Sequence, residues 1–467
     1  MKLITVTYLI ILTALVNALS AQNLEGTWQA NLEVEPGKTL LFNFHFAENE
    51  EKLITTLDIP SQGLKELQPL STILTHTDLV IDASNLGFKF KGIWDQQANT
   101  ITGTFQEGLK SKPLILFKEE SARAVATPKR PQEPVKPYPY AVEEVTIYNP
   151  DAKVKLAATL TLPRIKKPDP TVVILISGSG PQDRDETYMG HKPFLVLSDY
   201  LTRKGIAVLR YDERGVGEST GDFNKSTTAD FAEDVRHLVS YLKSRNDLEF
   251  QNIGLIGHSE GAIIAPKVAN SAKEVSFIIM LAGTGMNGKQ VSLQQALDLR
   301  NFAVKDEENY KAYIERAIDI ASSGLEENLV KSELKAFYEN SEVLASLLSK
   351  DIDKAEFIDN LVSSRTNPWI RYFYNYNPAD ELLKITIPVL ALYGSKDTQV
   401  PPKYHLQPVK EALKNSQSKK YEVVLIPGLN HLFQESKTGH IAEYPQIEQT
   451  LSPIVLEKIS RWILNEI

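Results

Sequence analysis

Apolar residues along this chain follow two rhythms, and the change between them falls near residue 142. Before it the pattern alternates. Leu40, Phe42, Phe44 and Phe46 flank Asn43 and His45, and Phe88, Phe90, Gly92 and Trp94 repeat the arrangement. Successive side chains on a strand point to opposite faces, so a period of two predicts strands with one buried face. Asp95 to Asn99 is a polar turn, and Ile101, Gly103 and Phe105 alternate beyond it, which predicts a hairpin. Residues 23–118 are expected to form a small all-β accessory domain, with either a structural role or a ligand cup inside it.

Beyond 142 the apolar residues come in continuous runs, as in strands buried on both faces of a parallel sheet. These are Thr171 to Ile176, Ile206 to Tyr211, Ile253 to Ile256, Phe277 to Ala282, Val389 to Tyr393 and Glu422 to Ile426, after an opening pair, Val142 to Tyr148 and Val154 to Leu162. Helical segments such as Phe194 to Lys204 and Thr228 to Ser244 separate them. Strand–helix alternation predicts a doubly wound, mostly parallel α/β sheet over 142–467. The rhythm breaks at 286–384, where only amphipathic helices are expected, with Leu293, Ala296 and Leu297 on one face. Inserted after a strand, that block is placed as a helical lid over the strand carboxyl ends. Between the two rhythms, residues 119–141 carry Pro128, Pro131, Pro134, Pro137 and Pro139, which predicts a stiff, extended linker.

Composition narrows the function. A formal charge of −8 and the absence of any long basic run argue against nucleic acid as the main partner. With no cysteine in the chain, disulfides, thiolate catalysis and cysteine–zinc sites are excluded. Lys2, the apolar stretch Leu3 to Val16 and the small residues around Ala18-Leu19-Ser20 read as a signal peptide over 1–21. Export to the periplasm or beyond is expected, with no stable membrane span after cleavage.

The chemistry centres on Gly257-His258-Ser259-Glu260-Gly261, which follows the apolar run Ile253 to Ile256 and precedes a small-residue helix start. That strand–turn–helix setting is what a Gly-x-Ser-x-Gly elbow needs to present a serine hydroxyl. A serine alcohol is a weak nucleophile and needs a base, which in turn needs a carboxylate to orient it. Asp397 sits in a glycine turn after the Val389 to Tyr393 strand, and His431 just beyond the Glu422 to Ile426 strand. Ser259, Asp397 and His431 are therefore the expected catalytic set. An oxyanion needs two backbone N–H donors, assigned to Glu260 and to Ser179, with Gly180 next in the Ser177–Pro181 loop. Trp369 and Phe373, in the aromatic stretch 367–374, are candidates either to line the substrate pocket or to fasten the lid. No metal motif and no dinucleotide fingerprint is present, so no cofactor is expected.

On these residues the chain resembles the α/β-hydrolase superfamily. Gly178-Ser179-Gly180-Pro181-Gln182-Asp183-Arg184-Asp185-Glu186 is similar to the oxyanion-loop signature of EstD-type carboxylesterases, relatives of the serine aminopeptidase-like hydrolases. Asp212-Glu213-Arg214-Gly215-Val216-Gly217-Glu218-Ser219 resembles the structural loop after the fourth strand in those families. Ser177 departs from the histidine found there in wider esterase patterns. Gly26-Thr27-Trp28 resembles the entry strand of small lipocalin-like barrels, and a β domain of this kind is similar to one carried by some bacterial members. The resemblance implies hydrolysis of small-molecule carboxylic esters, with short acyl groups. Two other functions stay open: a peptidase of the same fold gripping a free amine through Glu260, Asp183 or Asp185, and a non-catalytic binding protein using the β domain. Oligomeric state is not legible.

Overall fold

The computed structural model describes residues 24–35, 38–49, 52–60, 64–83, 86, 88–107, 110–118, 129–164, 169–298, 307–347 and 354–467. The leader expected at 1–21 and the first part of the expected linker, 119–128, lie outside the described residues. The chain divides into two compact units, Met1–Pro128 with Leu344–Phe357 and Ile441–Glu443, and Lys129–Val343 with Ile358–His440 and Tyr444–Ile467.

The first unit contains β1 (Gly26–Glu35), β2 (Lys38–Asn49), β3 (Lys52–Ile59), β4 (Leu64–Leu67), β5 (Ser71–Thr75), β6 (Asp78–Ala83), β7 (Phe88–Asp95), β8 (Thr100–Glu107) and β9 (Lys110–Lys118). They form one antiparallel sheet in the order β4-β3-β2-β1-β9-β8-β7-β6-β5. The sheet curls until Thr72 on β5 donates to Thr55 on β3 at 2.8 Å. The expected alternation is real: Phe42, Phe44, Phe46, Phe88, Phe90 and Trp94 all turn inward. The expected hairpin forms with Gly92 opposite Gly103, and Asp95 Oδ1 caps its turn by accepting from Gln97 and Ala98. Phe88 and Phe105, stacked with centroids 4.5 Å apart, belong with the buried Trp28 to one apolar cluster.

The second unit holds β10 (Ala141–Asn149), β11 (Val154–Leu162), β12 (Thr171–Ile176), β13 (Ala207–Tyr211), β14 (Asn252–His258), β15 (Val275–Leu281), β16 (Val389–Gly394) and β17 (Tyr421–Ile426). Their order is β10-β11-β13-β12-β14-β15-β16-β17, parallel from β13 onward and antiparallel at β11. This is the doubly wound, mostly parallel sheet expected over 142–467. The helices of the described residues are α1 (Pro193–Arg203), α2 (Thr228–Ser244), α3 (Glu260–Ser271), α4 (Gly288–Asp298), α5 (Glu307–Ala321), α6 (Glu327–Glu339), α7 (Glu342–Leu347), α8 (Lys354–Thr366), α9 (Pro368–Tyr374), α10 (Pro378–Leu382), α11 (Pro402–Lys414) and α12 (Pro453–Glu466), of which most of α7 and the start of α8 fall in the first unit. Strand alternation splits the core into two layers. Val172, Ile174, Ile253 and Leu255 pack with α2, α3 and α11, while Val173, Leu175 and Ile256 pack with α1 and α12. Burial on both faces is why these strands read as unbroken apolar runs.

Two expectations need correction. On α4 the buried residues are Gly288, Val291 and Gln294, whereas Leu293, Ala296 and Leu297 are only half-buried. Gln294 is buried because its carbonyl meets His405 Nε2 at 3.1 Å, while His405 Nδ1 meets Thr284 Oγ1 at 2.8 Å. A polar partner on α11 thus decides which face of α4 turns inward. The second half of the proline-rich stretch is not a free spacer. Arg130 donates to the carbonyls of Gly190, Ile447 and Pro445, each at 2.9 Å, and Gln132 bonds Thr450 and Leu451. A planar guanidinium with five donors suits a cluster of loop carbonyls.

Candidate active site

Ser259 lies between β14 and α3 with φ 51° and ψ −110°, a combination that costs an L residue energy and persists only where its surroundings impose it. Two close approaches impose it. A Cβ on Gly257 would meet the Gly261 carbonyl oxygen at 2.0 Å, and one on Gly261 would meet the Ile176 carbonyl oxygen at 2.0 Å. Only glycine lets strand and helix pass this closely. The Ser259 N–H is tied to the Leu281 carbonyl at 2.8 Å, and the side chain stands half-buried at the strand end.

Asp397, in the turn after β16, has a fully buried carboxylate. Its Oδ1 accepts from the N–H groups of Gln399 and Val400, both at 2.8 Å, and its Oδ2 meets His431 Nδ1 at 2.7 Å. Burial alone pushes this carboxyl up, but His431 and the two backbone donors outweigh it and hold the group below the usual aspartate range. His431 follows β17 in a loop pinned by Asn430 and Gln434, which exchange side-chain and backbone hydrogen bonds. The structure therefore brings Asp397 and His431 together. It also sets His431 against the residue before Ser259: the rings of His258 and His431 have centroids 4.7 Å apart. Among the described residues neither Ser259 Oγ nor His431 Nε2 has a hydrogen-bond partner. Catalytic hydrogen bonds often tighten only when substrate is bound.

The loop after β12 reaches the same place. A Cβ on Gly178 would lie 3.1 Å from Ser259 Cβ. Ser177, which departs from the histidine of wider esterase patterns, donates its hydroxyl to Glu213 Oε1 at 3.0 Å, and Gln182 N–H reaches Glu213 Oε2. Gly178 N–H goes to Glu186 Oε1 at 2.8 Å. Ser179 follows, exposed, and Gly180 adopts φ 103°. Glu260 is the first residue of α3, so its N–H has no carbonyl four residues back within the helix. Its side chain is buried and its Oε1 accepts from Thr228 Oγ1 and Trp369 Nε1, each at 2.7 Å. Burial raises the Glu260 carboxyl, against hydrogen bonds from Thr228, Trp369 and Ser179 that lower it.

Trp369 and Phe373 on α9 stack at 5.3 Å and 6°. Phe373 is buried with Ile263, Val291 and Tyr376, so it packs the inserted helices against α3, whereas half-buried Trp369 reaches the residue after the serine. Asp183 and Asp185 do not converge on the serine with free carboxylates. Asp183 accepts from Thr187 and the Asp185 N–H, and Asp185 pairs with Arg210. Glu186 and His258 are the residues that sequence reasoning missed. Glu186 stood in the quoted loop signature and His258 inside the elbow, but nothing in their spacing says that they touch. They meet at 2.8 Å.

Asp151, Glu233 and His237 place ligand atoms within 4.8 Å of one another. Asp151 is already bonded to Arg236 at 3.2 Å, which puts a cation where a metal would sit. No helix among the described residues is long and apolar enough to cross a membrane.

Residues 193–437 match the family described as serine aminopeptidase, S33. Esterase EstD of Thermotoga maritima is 28% identical over 315 residues, covering 66% of this chain and 66% of that protein, so the chain spans just under two thirds of that relative's length. Among solved structures, the Pyrococcus furiosus esterase Pf2001 aligns at 17% identity and TM-score 0.42, over 70% of this chain and 92% of the other. Est1E from Butyrivibrio proteoclasticus, in a structure with ferulic acid, aligns at 19% and 0.40, over 68% and 98%. The proline iminopeptidase of Mycobacterium smegmatis aligns at 15% and 0.40, over 69% and 98%.

Proposed function

The chain belongs to the serine aminopeptidase S33 family, whose match spans just over half of it, and on that premise we propose that it is a serine hydrolase cleaving small carboxylic esters. The observation that carries this reading is the 2.7 Å contact of His431 Nδ1 with Asp397, made beside the strained turn that bears Ser259. With Nδ1–H donating to the carboxylate, Nε2 is the basic nitrogen. Ser259 Oγ attacks the ester carbonyl carbon while His431 Nε2 takes the hydroxyl proton. The negative oxygen of the tetrahedral intermediate sits between the N–H groups of Glu260 and Ser179. Gly178 cannot serve there because Glu186 holds its N–H. His431 then returns the proton to the departing alcohol oxygen. Water repeats the cycle on the acyl-enzyme, releasing the acid and restoring Ser259.

An ester is favoured over a peptide substrate because the acids that could grip a free amine are already engaged. Asp185 pairs with Arg210, Asp183 accepts within its own turn, and Glu260 accepts from Thr228 and Trp369. Short acyl groups and export are part of the same proposal, resting on the family resemblance and on the leader-like sequence at 1–21. Nitrophenyl acetate and an aminoacyl-nitroanilide, assayed side by side with a fluorophosphonate label, test it. Hydrolysis of the ester and labelling that both vanish in Ser259→Ala are expected. Turnover of the anilide alone would reject the ester reading. N-terminal sequencing of protein from fractionated cells tests export, and an intact Met1 would refute it.

A further inference from the structure

His258 is the last residue of β14, directly before Ser259, and the reaction gives it no step. The residue is buried. Nδ1 lies 2.8 Å from Glu186 Oε1 and Nε2 lies 3.0 Å from the backbone oxygen of His431. A carbonyl oxygen only accepts, so Nε2 carries a proton. A carboxylate also only accepts, so Nδ1 carries one where it meets Glu186 Oε1. A ring with a proton on each nitrogen is an imidazolium. Around it, the charged and titratable groups are Glu186 from the loop after β12, His431 from the loop after β17, and Asp397 behind it. With His258 and Glu186, the apolar side chains of Phe194, Leu197, Leu281 and Phe433 line a small cavity.

Three loops meet through this one ring. Glu186 Oε1 accepts both from His258 and from Gly178 N–H at 2.8 Å, so the ring holds the loop that carries Ser179. Its other side holds the backbone of His431 itself. The ring's own backbone leads straight into Ser259. Taking Ser259, His431 and Asp397 as the reacting groups proposed above, we propose that His258 is kept as an imidazolium and acts as a positioning residue. It clamps the oxyanion loop and the His431 loop to the serine. Burial works against the charged ring, but the Glu186 carboxylate, the hydrogen bonds and Asp397 raise its proton affinity above the ordinary histidine value.

The test uses the full chain labelled with 15N in its histidine rings, of which there are eight. One ring that keeps both nitrogens protonated at pH 7, above the ordinary histidine value of about 6.5, is expected. That signal is absent in His258→Gln and lost in Glu186→Gln, whose amide donates to Nδ1 of a neutral ring. A wild-type His258 with one ring proton at pH 7, or a signal that survives Glu186→Gln, overturns the proposal. On nitrophenyl acetate, His258→Gln lowers kcat about 100-fold, the cost of a misplaced reacting group, with KM little changed. Glu186→Gln, which still accepts from Gly178, falls between it and wild type. Wild-type kcat in His258→Gln also overturns the clamp. Hydrogen exchange over 428–434, faster in His258→Gln, reads the clamp without any turnover, and unchanged exchange refutes it. Wild-type protein that neither turns over esters nor takes the fluorophosphonate defeats the enzyme reading instead, while ring protonation and exchange still decide the clamp.

Discussion

Two buried carboxylate–histidine pairs lie side by side at the carboxyl ends of the strands, Asp397 with His431 and Glu186 with His258. Their contact distances are 2.7 and 2.8 Å, so distance does not distinguish them. The other nitrogen does. His258 Nε2 faces a backbone carbonyl, and both protons of the ring are fixed. His431 Nε2 has no such partner among the described residues, so it can take a proton and give it back. The carboxylates differ too. Asp397 spends Oδ1 on two N–H groups of its own turn, whereas Glu186 Oε1 reaches into another segment, to Gly178. In the proposed reaction one pair moves a proton, and the other holds loops in place.

That contrast can be broken most sharply at the serine. Ser259→Ala and His431→Ala each lower kcat by about 10⁶-fold, the scale seen when a member of such a triad is removed, measured on nitrophenyl acetate. Asp397→Asn offers His431 a donor as well as an acceptor and admits the wrong tautomer. It lowers kcat about 10⁴-fold, against the much smaller loss for Glu186→Gln, and equal losses would erase the distinction between the pairs. Trp369→Phe keeps the stack on Phe373 but removes a donor from the buried Glu260 carboxylate. Unfolding in urea shows a loss of about 1–3 kcal/mol, from a buried acceptor left with fewer partners.

The smallest effect is in pH. The raised folded-state value of His258 gives stability that is complete below the ordinary histidine value of about 6.5 and is lost as pH rises through the folded value. Asp397, held low, contributes above about 3.9 and loses that contribution as pH falls through its folded value. The urea midpoint of wild type minus that of His258→Gln is therefore larger near pH 6 than near pH 9. A difference that grows with pH contradicts the imidazolium.

The elbow was legible because its requirements are local. Gly257 and Gly261 face each other across one turn, and sterics alone demand them. Asp397 and His431 could be found from their places after buried strands, since an α/β sheet presents chemistry at strand ends. The half-buried Leu293 face, misread on α4, shows the limit. Helical periodicity finds apolar stripes but not a buried Gln294 answering His405. Arg130, read as part of a spacer, belongs to a cluster of carbonyls more than 300 residues away in the chain.

By itself the sequence determined the order of strands and helices, the two core layers and the turn that lifts Ser259, because these follow from periodicity and from contacts within a few residues. Only the tertiary structure decided which acid serves which histidine. Glu186 lies 72 residues from His258 and Asp397 lies 34 from His431, and a hydrogen bond depends on ångströms and angles that separation along the chain does not encode. It was folding that gave one imidazole two acceptors and left the other with a nitrogen to spare.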